Sequence, residues 1–106
     1  MKAAIEVASS TQLKEDRARS VQVGEKKIAL FRWQGQVFAL KDFCPHQGAP
    51  LSDGLVEDGC AVCFYHEWKF RLEDGAFTHN ELIKIPRFKT KEEGGKIYVS
   101  AEEINS

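Results

Sequence analysis

Two short elements can do chemistry together: Cys44-Pro45-His46 and Cys63-Phe64-Tyr65-His66, with sixteen residues between His46 and Cys63. The stretch from Cys44 to His66 holds all three cysteines of the chain and two of its three histidines. Each arm offers one soft thiolate and one imidazole, and four such ligands on two loops can close one metal centre. Three cysteines cannot all pair within one chain, and thiols beside histidines in a reducing compartment more often serve metal or redox chemistry than disulfides. Structural zinc favours two cysteines on one knuckle with two histidines on a helix, or cysteine pairs on both arms. Here each arm mixes the types. That suits a two-iron cluster better, with both cysteines on the inner iron and both histidines on the outer. A structural zinc site, in a subunit with no redox role, stays as the alternative.

The elements that must position these arms are short and β-prone. Turn signals recur at Gly24-Glu25, Gln34-Gly35, Asp53-Gly54, Asp58-Gly59, Asp74-Gly75 and Gly94-Gly95. Between them lie Val21–Val23, the apolar run Ile28–Trp33, and Gln36–Leu40, the last two reading as a hairpin. Cys60–Tyr65 is a short buried run. Trp68, Phe70 and Leu72 alternate with Lys69, Arg71 and Glu73, as in a half-buried strand. Ile83–Phe88 and Lys96–Ser100 supply two more strands. One helical turn is expected over Ser10–Asp16, capped by Ser10 or Thr11, and the tail Ala101–Ser106 is expected to fray. Many short strands with Gly turns predict an all-β chain, an antiparallel β-sandwich or barrel base. Residues 43–70 read as a loop-rich insertion on that base, where function usually sits. In it Pro45 restricts the first arm. Gly48 and Gly54 are expected to turn at positive φ, so that neighbouring N–H groups face the cluster sulfurs.

The 106 residues fit a single domain, 1–106, with a cluster-binding subdomain at about 43–70. With 42% hydrophobic and 29% charged residues the chain reads as folded rather than disordered. A net charge of −1 argues against a general nucleic-acid or membrane binder. No apolar run approaches a membrane span, and MKAAIEVASSTQLKED holds no apolar stretch of a secretory signal, so a cytoplasmic location is expected. No G-x-G-x-x-G or other nucleotide loop is present, so the chain is expected not to oxidise NAD(P)H alone. Cys60 forms Cys-x-x-Cys with Cys63, but the βαβ context of a thioredoxin-like motif is missing, and it reads as a buried free thiol. His79 reads as a surface histidine, Trp33 and Trp68 as packing, and Lys84–Lys89 as a solvated strand face with a basic cast that could dock an acidic partner.

The arms resemble the Rieske pattern C-x-H, about sixteen residues, then C-x-x-H. The resemblance continues through Gly48-Ala49-Pro50-Leu51-Ser52-Asp53-Gly54, His66-Glu67-Trp68-Lys69-Phe70 with Asp74-Gly75, and Ile97-Tyr98-Val99. It covers roughly residues 20–100 and implies the Rieske fold and a Rieske [2Fe–2S] cluster held by Cys44, His46, Cys63 and His66. The extra cysteines that bridge the two loops in cytochrome-complex members are replaced by Ala49 and Tyr65, and Glu67-Trp68 stands where that branch has a tuning serine. The resemblance therefore implies the soluble, low-potential type, near roughly −150 mV. It implies a ferredoxin component that passes electrons from an NAD(P)H-linked flavin reductase to an oxygenase. The alternative is the small subunit of an NAD(P)H-dependent nitrite reductase, held against its large subunit. The rim of Pro45, Gln47, Pro50 and Trp68 is the expected docking face.

Overall fold

Two-residue turns between β-prone runs fix three consecutive antiparallel strands, β2 (Ala18–Val23), β3 (Lys26–Trp33) and β4 (Gln36–Lys41). Val23 pairs with Lys26 across Gly24-Glu25, and Trp33 with Gln36 across Gln34-Gly35. In the second turn both central residues are left-handed, Gln34 at φ 52° and Gly35 at φ 77°. This is the turn type whose twist matches the strands it joins. The Glu15 carboxylate accepts both of its N–H groups, that of Gly35 at 2.9 Å. The computed structural model in which these elements are seen describes residues 4–44, 49–63 and 67–104.

β1 (Ala4–Ser9), β10 (Arg87–Glu93) and β11 (Lys96–Ile104) complete a six-stranded sheet in the order β1-β11-β10-β4-β3-β2. Its two edge strands approach each other, so the sheet is nearly closed into a barrel. A second antiparallel sheet runs in sequence order through β5 (Leu55–Glu57), β6 (Cys60–Val62), β7 (Lys69–Arg71), β8 (Ala76–Phe77) and β9 (Asn80–Lys84). It spans Leu55–Lys84 and so includes residues beyond the 43–70 segment. The fold is all-β, as expected.

Strand β3 explains how the sheets join. Its run Ile28-Ala29-Leu30-Phe31 is wholly buried, and alternate residues serve different cores. Ile28 and Leu30 pack with Leu13, Phe88, Ile97 and Val99 inside the barrel. Ala29 and Phe31, on the other face, pack with Leu40, Val56, Phe70 and Leu72 between the two sheets. A strand covered on both faces reads as a continuous apolar run, not as alternation.

Several expectations needed correction. The helical turn at Ser10–Asp16 is a 3-10 turn of Ser10–Gln12 only, where the Ser9 N–H donates to Gln12 Oε1 at 2.9 Å. Ile83–Phe88 is not one strand: β9 ends at Lys84 in the second sheet and β10 starts at Arg87 in the first. The chain changes sheets at Ile85-Pro86, where Pro86 has no N–H to give a ladder and its carbonyl accepts the Lys41 N–H at 2.9 Å. The strand expected over Trp68–Leu72 is confined to Lys69–Arg71, and the run Cys60–Tyr65 contributes the strand Cys60–Val62, its Phe64 and Tyr65 lying outside the described residues. The tail does not fray at Ala101; β11 continues to Ile104, paired with Arg87.

Candidate metal centre

Each arm leaves a strand and is closed in the same way. β4 carries the chain to Cys44, whose N–H donates to the Ala49 carbonyl at 2.8 Å. β6 carries it to Cys63, whose N–H donates to the Trp68 carbonyl at 2.7 Å. Both bonds join residue i to residue i+5, so each ties off a segment of equal length, Pro45–Gly48 and Phe64–Glu67. His46 and His66 belong to these two segments and lie outside the described residues, as do Pro45, Gln47, Gly48 and Tyr65. What the structure brings together is the pair of thiols. Cys44 and Cys63 are both fully buried and both part of one apolar cluster with Leu51, Phe70 and Phe77.

The mouth of the first arm has a second closure. Asp42, only 8% exposed, accepts the Ser52 N–H on Oδ1 at 2.8 Å and the Ser52 hydroxyl on Oδ2 at 2.7 Å. Its own N–H donates to the Lys27 carbonyl of β3 at 3.0 Å. One carboxylate thus ties the strand entering the arm to the 3-10 turn Leu51–Asp53 that leaves it. Sequence reasoning missed this pair, and it also missed Phe43, a 44% exposed aromatic beside Cys44 with Lys41 Nζ 5.4 Å over its ring.

Gly54 corrects an expectation. Its φ is −94°, not positive. It is required for space: a Cβ here would lie 1.8 Å from the Val62 carbonyl oxygen. The exit of the first arm therefore packs directly on the backbone of β6, one residue before Cys63. Among the described residues of the second arm Glu67 is left-handed, at φ 53°. After it Trp68 lies stacked on Phe77, centroids 4.1 Å apart at 11°, with Phe70 in tilted contact with both. One face of Trp68 is thus spent on packing, while Pro50 of the expected rim is exposed.

Cys60 is not fully buried as expected but half-buried on β6, and it stands outside the cluster that holds the other two thiols. Burial pushes its thiol pKa up, against the opposing pull of Lys69 and Arg71. That favours the inert protonated form over a thiolate ligand. His79 is exposed, as expected, with its ring edge-on to Phe77 and the centroids 5.5 Å apart. Trp33 is half-buried and covers Gly59, packing against the cluster between the sheets.

Among the described residues no group of three or more histidine, cysteine and acidic side chains could hold a metal. The donor set can be tested only at its two thiols. Two fully buried cysteines at the mouths of equal loops fit the sulfur half of a mixed cluster, in which two thiolates would hold one iron and two imidazoles the other.

The sequence matches the Rieske [2Fe-2S] domain family over residues 3–89, and the chain belongs to that family. It is an electron-transfer protein with a Rieske-type [2Fe–2S] cluster. It is 31% identical over 101 residues to the ferredoxin component of the alkene monooxygenase system of Xanthobacter autotrophicus, covering 94% of this chain and 83% of that one. It is 40% identical over 89 residues to the 4beta-methylsterol monooxygenase of Methylococcus capsulatus, but spans only 23% of that protein's length. Its fold superimposes with a TM-score of 0.87 on a chain from the complex of reduced oxygenase and oxidised ferredoxin in carbazole 1,9a-dioxygenase, at 23% identity and full coverage of both chains. That last likeness is one of fold.

Proposed function

We propose that Cys44 and Cys63 hold one iron of the cluster and His46 and His66 the other, and that the chain is the ferredoxin component of an oxygenase system. It takes electrons one at a time from an NAD(P)H-linked flavin reductase and passes them to the terminal oxygenase. The observation that carries this reading is the pair of buried thiols in one cluster, each at the mouth of an equally closed loop. When bound, the cluster supplies a one-electron couple. The chain's own residues do the rest. The closures at Ala49 and Trp68 fix where each arm starts and ends. The Asp42–Ser52 pair holds the first arm to the barrel. Phe70, Phe77 and Leu51 keep water from the thiol side.

The ferredoxin relative spans nearly the same length as this chain, and both relatives named above are oxygenase-system proteins. This favours the oxygenase assignment over the nitrite reductase small subunit. A single domain over 1–106, with the cluster-binding segment at about 43–70, a cytoplasmic location and a low potential complete the reading. No helix among the described residues is long and apolar enough to cross a membrane. No catalysis by the chain alone is part of it.

The test is an EPR-monitored redox titration of the anaerobically purified protein. A rhombic reduced signal with a midpoint near roughly −150 mV is expected. His46→Ala and Cys63→Ala should each abolish it. A colourless protein holding zinc, or an unaltered signal in these variants, overturns the assignment.

A further inference from the structure

The ladder between β4 and β10 is short. It holds Arg87↔Leu40 and Phe88↔Ala39 and then ends. Beyond it no ladder pair joins the two strands, and Gln36–Phe38 and Lys89–Lys91 line an open groove of about 550 Å³. A side chain bridges the gap instead of a backbone pair, the Thr90 hydroxyl donating to the Val37 carbonyl at 2.9 Å. Phe38, Leu72 and Phe88 give the groove an apolar floor, and Arg87, Lys89 and Lys91 line it with three cations. No carboxylate lines it among the described residues, although the whole chain is slightly acidic. Lys91 is paired with exposed Glu93 at 2.8 Å, beside the groove. Arg87 has an anomaly of its own: its Nε is buried with no hydrogen-bond acceptor among the described residues. A buried charged donor without an acceptor is costly, and an acceptor from outside the chain would relieve it.

We propose that this groove holds an extended acidic segment of a protein partner. The Thr90–Val37 bond keeps the two strands too close for a third strand between them, so the segment lies across the open face of the groove and is held by side chains. Arg87 and Lys89 offer the complementary charge, and the apolar floor accepts the alternate side chains of the same segment. The groove lies toward the Gln36 end of β4, whereas Cys44 lies beyond its Lys41 end. A segment bound there leaves the two arms uncovered, so the contact works as a tether rather than as the electron exit. The inference rests on the proposed function only in taking the partner to be a component of the same redox system.

The probe is a capped hexapeptide of alternating glutamate and valine, titrated into isotope-labelled full-length protein as purified and followed by NMR. Saturable shifts are expected at Gln36–Ala39 and Arg87–Lys91, and they should weaken as salt is raised. Lys89→Gln, an exposed change, should weaken binding about fivefold, a loss of about one ordinary charge contact. Arg87→Gln should weaken it at least as much. A lysine–valine peptide should cause no shifts. The proposal is overturned if the glutamate peptide does not bind, if its shifts centre on the arms, or if Lys89→Gln binds as the parent does. The assay reads no electron transfer, so its failure leaves the redox assignment standing, and a failed redox titration leaves a positive groove result standing.

Discussion

Asp42 and Ser52 are ten positions apart and share two hydrogen bonds across the mouth of the first arm. Replacing one partner strands the other in a half-dry site. Ser52→Ala should cost about 1 kcal/mol and Asp42→Ala about 1–3 kcal/mol, read as lowered denaturation midpoints. Both variants should also lose iron to a chelator faster than the parent. Equal stability and equal iron retention would show that the pair holds nothing. Gly54 sets a harder limit. A methyl group 1.8 Å from the Val62 oxygen cannot be placed without moving the backbone. Gly54→Ala should therefore cost about 3 kcal/mol, at the upper end for overpacking, and a variant as stable as the parent would show that the two arms need not approach so closely. At this scale the proposed ligand residues stood out in the sequence because cluster chemistry demands particular side chains at particular spacings. Asp42 was not legible: an acidic residue beside a Cys arm gains its meaning only when the arm turns back and presents Ser52. Gly54 was marked as special for the wrong reason, since a sequence shows that a glycine is present but not whether φ or space requires it.

Hairpins formed where the sequence marked them, because a two-residue turn needs left-handed backbone and Gln34-Gly35, Asp58-Gly59 and Gly94-Gly95 supply it. What was hidden is pairing between segments far apart in the chain. β1 and the end of β11 carry no strong local signal; they are strands because they pair with β11 and with Arg87–Phe88. The break at Ile85-Pro86 is likewise a consequence of changing sheets. Arg32 joins distant elements in the same way. Its guanidinium makes two bonds to Glu92 of β10, at 2.7 and 3.1 Å, and its Nε donates to the Leu13 carbonyl at 2.6 Å. The side chains are only 12% and 29% exposed, so the pair should be worth about 1 kcal/mol, above the median for surface pairs. Arg32 holds the Glu92 carboxyl below the usual carboxylate range. A depressed native pKa means that the contribution is complete above the unfolded carboxylate value of about 4.3 and is lost as pH falls through the lower native value. Glu92→Gln should thus be less stable than the parent at neutral pH, with the gap closing in acid. A gap that stays constant from pH 7 to about 3 would remove the ion pair as its cause.

The molecule has two cores that divide the work. The barrel core, with Leu13, Ile28, Leu30, Phe88, Ile97 and Val99, contains no cysteine. The core between the sheets contains both Cys44 and Cys63, and around them Leu51, Phe70 and Phe77. A cluster bound by both arms cross-links only the second core, and metal binding there contributes directly to the folding of the loops it joins. The second sheet needs this help. β5, β6 and β7 have three residues each and β8 two, close to the lower limit for strands. The barrel strands β3, β10 and β11 have eight, seven and nine. Stability within one chain can therefore differ by region, with local opening confined to the weaker one. Removing the iron should speed hydrogen exchange at the amides of Val56, Ala61, Cys63 and Phe70 by at least about tenfold, the effect of losing about 1.4 kcal/mol of local protection. Amides of Ile28, Leu30 and Val99 should stay nearly as protected as before, because their core contains neither Cys44 nor Cys63. Uniform loss of protection through both sheets would mean that the cores fold as one unit and that the cluster holds the barrel as well. No change anywhere would mean that apolar packing alone orders the arms, leaving the cysteines free to serve the electron and not the fold.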